Sequence, residues 1–195
     1  MPRTHLSVKP AFLIMLVVLV LDQLTKLLIR MNMELYQSIP VLKSIFGDTF
    51  MLTYVENTGA AFSLSPFTPA GNRIFFIVVS ILAVIFVLWL LYHSAHRIQV
   101  IAFGFVLAGA LGNLIDRIRF GGVTDFIDCD FPDFIMQRWP IFNVADSAIF
   151  IAMTLIIIDM IFIHERVSPS VQPLVLPVEE TDTQVNSIDS SNKEI

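Results

Sequence analysis

Four long apolar segments alternate with polar stretches along the sequence. They cover residues 11–29, 74–92, 98–115 and 147–163, and the second and third carry no charged side chain. Segments of about 20 apolar residues are long enough to cross a bilayer as helices. Helices satisfy their own backbone hydrogen bonds within lipid, whereas lone strands do not. The pattern therefore predicts an α-helical membrane protein with four transmembrane helices.

The polar stretches between these segments differ in length. Residues 93–97 form only a short turn, whereas residues 30–73 are long enough to fold. Within that long stretch, residues 50–55 are rich in strand-forming side chains, and Asn57 and Gly59 supply a turn. Residues 41–46 are the candidate partner strand. We therefore predict a small sheet, or cradle, between helices one and two at the membrane surface.

The number of spans decides which loops share a side of the membrane. With four spans both ends of the chain lie on one side, so the first and third loops lie on the other. This places Asn57, Asp125 and Asp146 on one membrane face. Lys and Arg residues are spread over both sides, so the cytoplasmic excess of cations does not decide the orientation. Only Arg3 and Lys9, before the first helix, favour termini inside the cell.

Composition supports the membrane assignment. The chain has 195 residues, of which 55% are hydrophobic and 15% charged, and its mean hydropathy is +0.75. Soluble domains are more charged and less apolar. The net charge of -5 does not indicate what kind of partner the protein binds, because many of the acidic residues lie in the polar stretch from Val167 onwards. We predict a four-helix membrane domain over residues 1–166 and a disordered polar tail over residues 167–195.

Cys129 is the single cysteine of the chain. An intrachain disulfide is therefore impossible, and no cysteine pattern for a metal exists. A nucleophilic thiol would need a setting that stabilises the thiolate, and no histidine lies near Cys129 in sequence. We interpret it as an ordinary loop thiol. We expect no cofactor, no metal and no nucleic-acid partner.

Two patterns on the predicted helices concern packing or charge. Asp22 and Lys26 lie four residues apart, hence on one face of the first helix. They form either a neutralised ion pair or part of a polar site. Gly104, Ala108 and Gly112 recur every four residues on the third helix, a pattern that lets helices approach closely.

The end of the third segment carries a second polar group. Asn113, Asp116 and Arg117 project from one side of that helix. Arg117 is either a ligand for a carboxylate, phosphate or substrate carbonyl, or a cation favoured at a helix end. Spacing alone leaves both interpretations open.

Carboxylates at the hydrocarbon boundary are the candidate catalytic groups, because a pair is sufficient for acid–base hydrolysis. Asn143 followed by Asp146 is also a helix-start pattern, so Asp146 has a purely structural alternative. Asp125 is one of several acids in its loop. The others are Asp128, Asp130 and Asp133.

Five motifs occur in a fixed order between the first and last helices. They are residues 21–26 (LDQLTK), 57–62 (NTGAAF), 109–117 (GALGNLIDR), 123–126 (VTDF) and 142–147 (FNVADS). In combination they resemble the bacterial lipoprotein signal peptidase family, also called signal peptidase II. The resemblance covers about residues 12–165 but excludes the tail and residues 129–138.

The resemblance implies a role for each matching residue. Asp125 and Asp146 match the catalytic aspartate pair, and Asp22 and Lys26 match a charged pair that supports the site. The positions that line the family's substrate pocket match Asn57, Gly59, Asn113, Arg117 and Asn143.

The resemblance also implies a substrate and a location. The enzyme would be an aspartyl endopeptidase that removes signal peptides from prolipoproteins by cutting just before the diacylglyceryl-cysteine. It would lie as a monomer in the bacterial inner membrane, with both termini cytoplasmic and with the sheet and active site periplasmic.

Two other function classes remain open on the residues alone. A non-enzymatic membrane protein, such as a small carrier, would use Asp22, Lys26 and Asp146 as a polar relay. A degenerate family member would bind substrates without cleaving them, although it would have no need for both aspartates. Cleavage of a diacylglyceryl prolipoprotein distinguishes these classes from a peptidase.

Overall fold

The computed structural model describes residues 6–41, 43–47, 49–59, 68–130 and 139–163. The predictions for the tail and for Asp133 lie outside these residues. Helices and short strands alternate along the chain. In order they are α1 (Lys9–Asn32), β1 (Ser38–Pro40), α2 (Lys43–Phe46), β2 (Phe50–Asn57), α3 (Pro69–Tyr92), α4 (Arg97–Phe120), β3 (Val123–Cys129) and α5 (Val144–Ile158). A π-helical segment, Asp159–Ile163, continues α5.

Four helices, α1, α3, α4 and α5, are long and apolar enough to cross a membrane. The mean hydropathies of their spans lie between 2.0 and 3.2. Many large apolar side chains of α1, α3 and α5 are exposed on the surface of the molecule, as expected for helices that face lipid. This confirms the prediction of a four-helix membrane protein.

Helix α4 is the centre of the bundle, in contact with α1, α3 and α5. Its glycines allow the close approach that their spacing predicted. A Cβ atom on Gly104 would lie 2.7 Å from the carbonyl oxygen of Ala11, and one on Gly112 would lie 2.5 Å from Asp22 Oδ2. A Cβ atom on Gly109 would lie 2.5 Å from the carbonyl oxygen of Ala145. Neighbouring helices therefore pack directly on the backbone of α4.

The sheet is antiparallel with the order β1-β2-β3. Its existence confirms the predicted sheet, but two details of the prediction are wrong. The partner strand is Ser38–Pro40 rather than residues 41–46, because Lys43–Phe46 forms a helical turn that the Gly47 N–H closes onto the Lys43 carbonyl. In addition, β3 comes from the other long loop, so the sheet is shared between both loops.

The sheet packs on the end of α1 through an apolar cluster. Ile29 of α1 and Met33, which follows α1 directly, form this cluster with Tyr54 of β2 and Phe126 of β3, and all four side chains are buried. This contact fixes β3, and Asp125 with it, beside the end of the bundle.

Helix α4 continues to Phe120, five residues past the predicted end of the third span at residue 115. The apolar run stops earlier because Asp116, Arg117 and Arg119 interrupt it. Gly121 ends the helix in the left-handed conformation at φ 88°, and Arg73 of α3 donates to the carbonyl oxygens of Arg117 and Ile118.

Asp159, which interrupts the fourth apolar segment, has its own partners at the opposite end of the bundle. Its carboxylate lies 2.9 Å from His96 Nδ1 and accepts a hydrogen bond of 2.6 Å from Gln99 Nε2. The α3–α4 turn is therefore tied to the end of α5 at the point where the helix becomes π-helical.

Candidate active site

Asp125 and Asp146 come from different elements but meet at one place. Asp125 lies in the middle of β3, opposite Val55 of β2, and is 4% exposed. Asp146 lies in the first turn of α5. Of the other acids in that loop, Asp128 accepts a hydrogen bond from the Thr53 hydroxyl within the sheet, and Asp130 is exposed. The fold therefore brings Asp125, rather than these two, to Asp146.

Asn143 connects the two carboxylates. Its side-chain oxygen accepts from the Asp146 backbone N–H at 2.9 Å, and its own backbone N–H donates to Asp146 Oδ2 at 3.2 Å. This is a capping box, so the structural interpretation of the pair is correct. The Asn143 Nδ2 also donates to Asp125 Oδ1 at 2.7 Å. Asn143 therefore both caps the start of α5 and bridges Asp125 and Asp146.

Asn113 provides the second contact to Asp146. Its Nδ2 donates to Asp146 Oδ1 at 2.8 Å, while its Oδ1 accepts from Lys26 Nζ at 2.9 Å. A lysine ammonium only donates hydrogen bonds, so the amide oxygen must face Lys26 and the amide N–H must face Asp146. Lys26 thus fixes the orientation of the amide at the carboxylate.

Asn57, at the end of β2, provides a similarly oriented amide contact to Asp125. Its Nδ2 donates to Asp125 Oδ2 at 3.1 Å, and its Oδ1 accepts from the Gly59 backbone N–H at 3.0 Å. All four carboxylate oxygens of Asp125 and Asp146 therefore accept a hydrogen bond from an asparagine.

The protonation of Asp125 follows from its surroundings. Burial raises its pKa, and the nearby charge of Asp146 raises it further, to about 7 from the ordinary 3.8. The hydrogen bonds from Asn57 and Asn143 and the charge of Lys26 act in the opposite direction. Near neutral pH this carboxyl group therefore exchanges readily between its acid and its base form, as acid–base catalysis requires.

A buried charged network lies beneath the site. Lys26 Nζ lies 2.9 Å from Asp22 and 3.2 Å from Asp116, and Arg30 lies 3.0 Å from Asp116. Two cations thus balance two carboxylates. Asp22 also accepts from the Ala145 backbone N–H at 2.9 Å, so the network holds the first turn of α5 as well.

Sequence reasoning did not identify Arg30 as part of this network. The spacing contained the information, because Asp22, Lys26 and Arg30 follow one another at intervals of four and share a helix face. Asp116 also accepts from the Thr124 backbone N–H at 3.1 Å, one residue before Asp125. That contact could not be predicted from spacing, since it depends on how β3 returns to α4.

Arg117 contacts carbonyl groups at the edge of the site. It donates to the Gly59 carbonyl oxygen at 3.3 Å and to that of Asn113 at 3.5 Å, and its guanidinium lies 5.2 Å from the Phe76 ring centroid. These contacts attach the turn after β2 to α4. Arg117 therefore holds Gly59 beside Asn57, as well as ending its helix with a favourable charge.

The similarity of this chain to known proteins agrees with this geometry. The family model described as Signal peptidase (SPase) II matches residues 14–162, which is most of the chain. The chain belongs to the signal peptidase II family. The peptidase is 45% identical to a lipoprotein signal peptidase of Geobacter sulfurreducens over 154 residues, which cover 77% of this chain and 91% of that protein. A lipoprotein signal peptidase of Halothermothrix orenii is 41% identical over 148 residues, covering 75% and 92% respectively.

Solved structures show the same fold. A bacterial membrane enzyme determined by the in meso method at 2.3 Å resolution matches with a TM-score of 0.70 and 32% identity, over 80% of this chain and 90% of that one. A second, at 1.9 Å, gives 0.70 and 30% identity, over 83% and 99%.

These similarities confirm the family and the enzyme class predicted from the motifs. The peptidase is a multi-pass membrane hydrolase, and its family supports removal of signal peptides from prolipoproteins. Metal independence stays a prediction. Within the described ranges, no three His, Cys, Asp or Glu side chains are grouped so that they could hold a metal ion.

Proposed function

We propose that the peptidase cleaves diacylglyceryl-modified prolipoproteins just before the lipid-modified cysteine, with Asp125 and Asp146 as its catalytic pair. One observation carries the proposal. The buried Asp125 of β3 and the half-buried Asp146 of α5 share the Asn143 side chain, and the pKa of Asp125 is about 7. Adjacent carboxylates cannot both ionise easily, so the pair holds one proton near neutral pH.

The shared proton defines the chemistry. The ionised carboxylate removes a proton from a water molecule, and the water oxygen attacks the scissile carbonyl carbon. The protonated carboxyl group donates a hydrogen bond to the carbonyl oxygen and then gives its proton to the leaving nitrogen as the C–N bond breaks. The pair ends the cycle with one proton, which has moved from one carboxyl group to the other.

The asparagines serve this pair by fixing its orientation. Asn57, Asn113 and Asn143 present N–H groups to defined carboxylate oxygens, and the remaining lone pairs of those oxygens are available to a water molecule or the substrate. Asp22 and Lys26 support the arrangement from below, through Ala145 and Asn113. We assign these two residues a positioning role.

Substrate binding is assigned to the rim of the site. Arg117 and the backbone of Gly59 lie next to Asn57, Asn113 and Asn143, at the edge of the site. The asparagine amides and the guanidinium offer hydrogen-bond donors to substrate carbonyl groups.

We further propose that the peptidase is a monomer in the bacterial inner membrane, with both termini cytoplasmic and the site periplasmic. The loop positions support this orientation, because a signal peptide is cut after its polypeptide has crossed the membrane. In this proposed orientation β2, β3 and the start of α5 share the periplasmic side, since four spans leave both loops that carry them on the side opposite the termini.

The test is cleavage of a diacylglyceryl prolipoprotein by the purified peptidase. Asp125→Asn and Asp146→Asn should each lower kcat by at least about 100-fold, the usual contribution of a catalytic acid or base. Both variants should retain the wild-type unfolding temperature within a few degrees, since the amide keeps the shape of the carboxylate.

The matched control is Asp130→Asn, which removes an exposed acid one residue beyond the same strand. It should cleave at the wild-type rate. Near-normal turnover by either Asp125→Asn or Asp146→Asn would show that the catalytic pair is wrongly assigned. An inactive wild-type protein would instead favour a substrate-binding member of the family.

A further inference from the structure

A groove of about 480 Å³ lies against α5 and reaches Asp146. Apart from that carboxylate its walls are largely apolar. The lining residues are Cys129, Trp139, Phe142, Asp146, Ser147, Phe150 and Ile151. The catalytic mechanism uses only the Asp146 end of this groove.

The groove runs along one face of α5. Asp146, Ser147, Phe150 and Ile151 occupy neighbouring positions on that face. From Asp146 to Ile151 the helix rises by about 7 Å. Phe150 and Ile151 are 67% and 43% exposed, so the far end of the groove opens on the surface that faces lipid.

The opposite wall comes from the loop between β3 and α5. Cys129 ends β3, and Phe142 is hydrogen-bonded to Ile127 in the same strand. Trp139 is 42% exposed beside the opening, a position typical of a side chain at the membrane interface. The groove therefore connects the catalytic carboxylate with the hydrocarbon region.

We propose that this groove binds an acyl chain of the diacylglyceryl group on the substrate cysteine. The inference rests on the proposed function, because the scissile bond must then lie at Asp146. The modified cysteine directly follows that bond, so its acyl chains begin only a few atoms from the carboxylate. A groove that starts at Asp146 and opens into lipid lies along their path.

The chemistry of the walls favours an acyl chain over a peptide segment. An extended peptide backbone needs hydrogen-bond partners when it leaves water. The groove offers few, because the Ser147 hydroxyl already donates to the Asn143 carbonyl at 2.9 Å. An acyl chain has no such requirement.

The gain from such binding is positional. The bilayer already offers apolar surroundings to the acyl chains, so transfer into the groove adds little affinity. A chain held in the groove does, however, fix the depth and direction of the cysteine, and misplacement of a reacting group by about 1 Å costs roughly 100-fold in rate. Chain length should therefore act on turnover efficiency.

The first experiment fills the groove. Ile151→Trp adds bulk at its lipid-side end, and Ile157→Trp is the matched control, since Ile157 is exposed on the same helix but does not line the groove. The kcat/KM of each protein is measured with precursors that carry two long or two very short acyl chains. Ile151→Trp should lower the long-to-short ratio by at least about tenfold, as expected for a blocked hydrophobic pocket. Ile157→Trp should keep the wild-type ratio.

The second experiment uses the wild-type groove and the single cysteine. Cys129 is labelled with a maleimide in the Asp125→Asn variant, so that bound precursor is not cleaved. Burial and the charge of Asp128 raise the pKa of Cys129, so labelling is done at mildly alkaline pH, where more thiolate forms. The long-chain precursor should slow the labelling and the short-chain precursor should not.

The outcomes separate the two proposals. An unchanged ratio in Ile151→Trp together with equal labelling for both precursors would overturn the acyl-chain site. The acyl-chain site would also be overturned if Ile151→Trp instead changed the preference for signal-peptide side chains before the scissile bond, because the groove would then bind peptide. Failure of the wild-type protein to cleave any of the precursors would contradict the proposed function itself.

Discussion

At the scale of single residues, Asn143 joins a helix start to a pair of carboxylates. Its oxygen caps α5 at the Asp146 N–H, and its amide group donates to Asp125. Because the two tasks use different atoms, a substitution can remove one and keep the other.

Asn143→Ser should separate these tasks. Serine is as good an N-cap as asparagine but is too short to reach Asp125. We expect the unfolding temperature to stay near wild type while kcat falls by about tenfold or more, as for a lost catalytic contact of about 1.4 kcal/mol. Asn143→Ala should lose kcat similarly and also about 1 kcal/mol of stability. Thermal unfolding and turnover of both variants check this, and a fully active Asn143→Ser would show that only the cap matters.

The pH dependence of cleavage belongs to the carboxylate pair. The pKa of Asp125 is raised to about 7, so the second ionisation of the pair removes the required proton as pH rises through about 7. The kcat/KM should therefore fall on the alkaline side. Asn57→Ala removes a hydrogen bond that favours the ionised form, and it should move this fall to higher pH. A pH–rate profile that does not respond to Asn57→Ala would contradict the assignment.

The ionisation of Asp125 also makes the stability of the folded peptidase depend on pH, in a direction that its raised pKa determines. Asp125 has a higher pKa in the folded peptidase than in the unfolded chain, so the folded state binds more protons between about pH 4 and pH 7. Stability therefore decreases as pH rises through that window. The activity of the site then falls as pH rises beyond the upper end of the same window.

Much of the site was accessible from the sequence, but for different reasons at different residues. The Asp22–Lys26 pair and the Asn143–Asp146 cap follow from local helix spacing, and both contacts are present. Asp125 could not be separated from Asp128 or Asp130 by spacing, because pairing of β3 with β2 decides which acid faces the bundle. Only the family motif selected it.

At the scale of elements, helices were predictable because their pattern is local, whereas strand pairing is not. The four apolar segments predicted the helices. The predicted end of α4 was too early, however, because charged residues interrupt the apolar run at Asp116, which pairs with Lys26 and Arg30. The short strand Ser38–Pro40 has no pattern of its own and exists because β2 lies beside it.

The glycines of α4 allow a test that compares two ends of one helix. Gly112→Ala would push a Cβ atom against Asp22, and Gly104→Ala would push one against the Ala11 backbone. Each should cost about 1–3 kcal/mol of stability through overpacking. Only Gly112→Ala should also lower kcat in the folded fraction, because Asp22 holds Ala145 at the start of α5.

Thermal unfolding and turnover per folded molecule distinguish the two glycine variants. Equal losses of kcat in both would mean that the charged network does not position the catalytic pair.

At the scale of the whole molecule, the peptidase is a bundle closed at one end by a sheet and at the other by the Asp159–His96 contact. The family match ends at residue 162, close to the end of the π-helical segment. The sequence after Arg166 is polar and rich in proline, serine and acids.

Removal of the residues after Arg166 should therefore leave cleavage intact. The truncated peptidase should insert into membranes and process a diacylglyceryl prolipoprotein at a rate close to that of the full chain. The reason is that the asparagines in contact with Asp125 and Asp146 all precede residue 147. Normal membrane insertion combined with lost turnover would show that the tail takes part in catalysis.

The hydrogen bond between the Ala145 backbone N–H and Asp22 has a consequence for the biosynthesis of the enzyme. Asp22 lies in α1, which is synthesised before α5, and its partner Ala145 lies in the first turn of α5. Until α5 has packed in the membrane, Asp146 lacks its contact with Asn113 and Asp125 lacks its second carboxylate. A nascent chain without α5 is therefore expected not to cleave a precursor. Cleavage of a precursor is then evidence that α5 has been inserted and packed against α1.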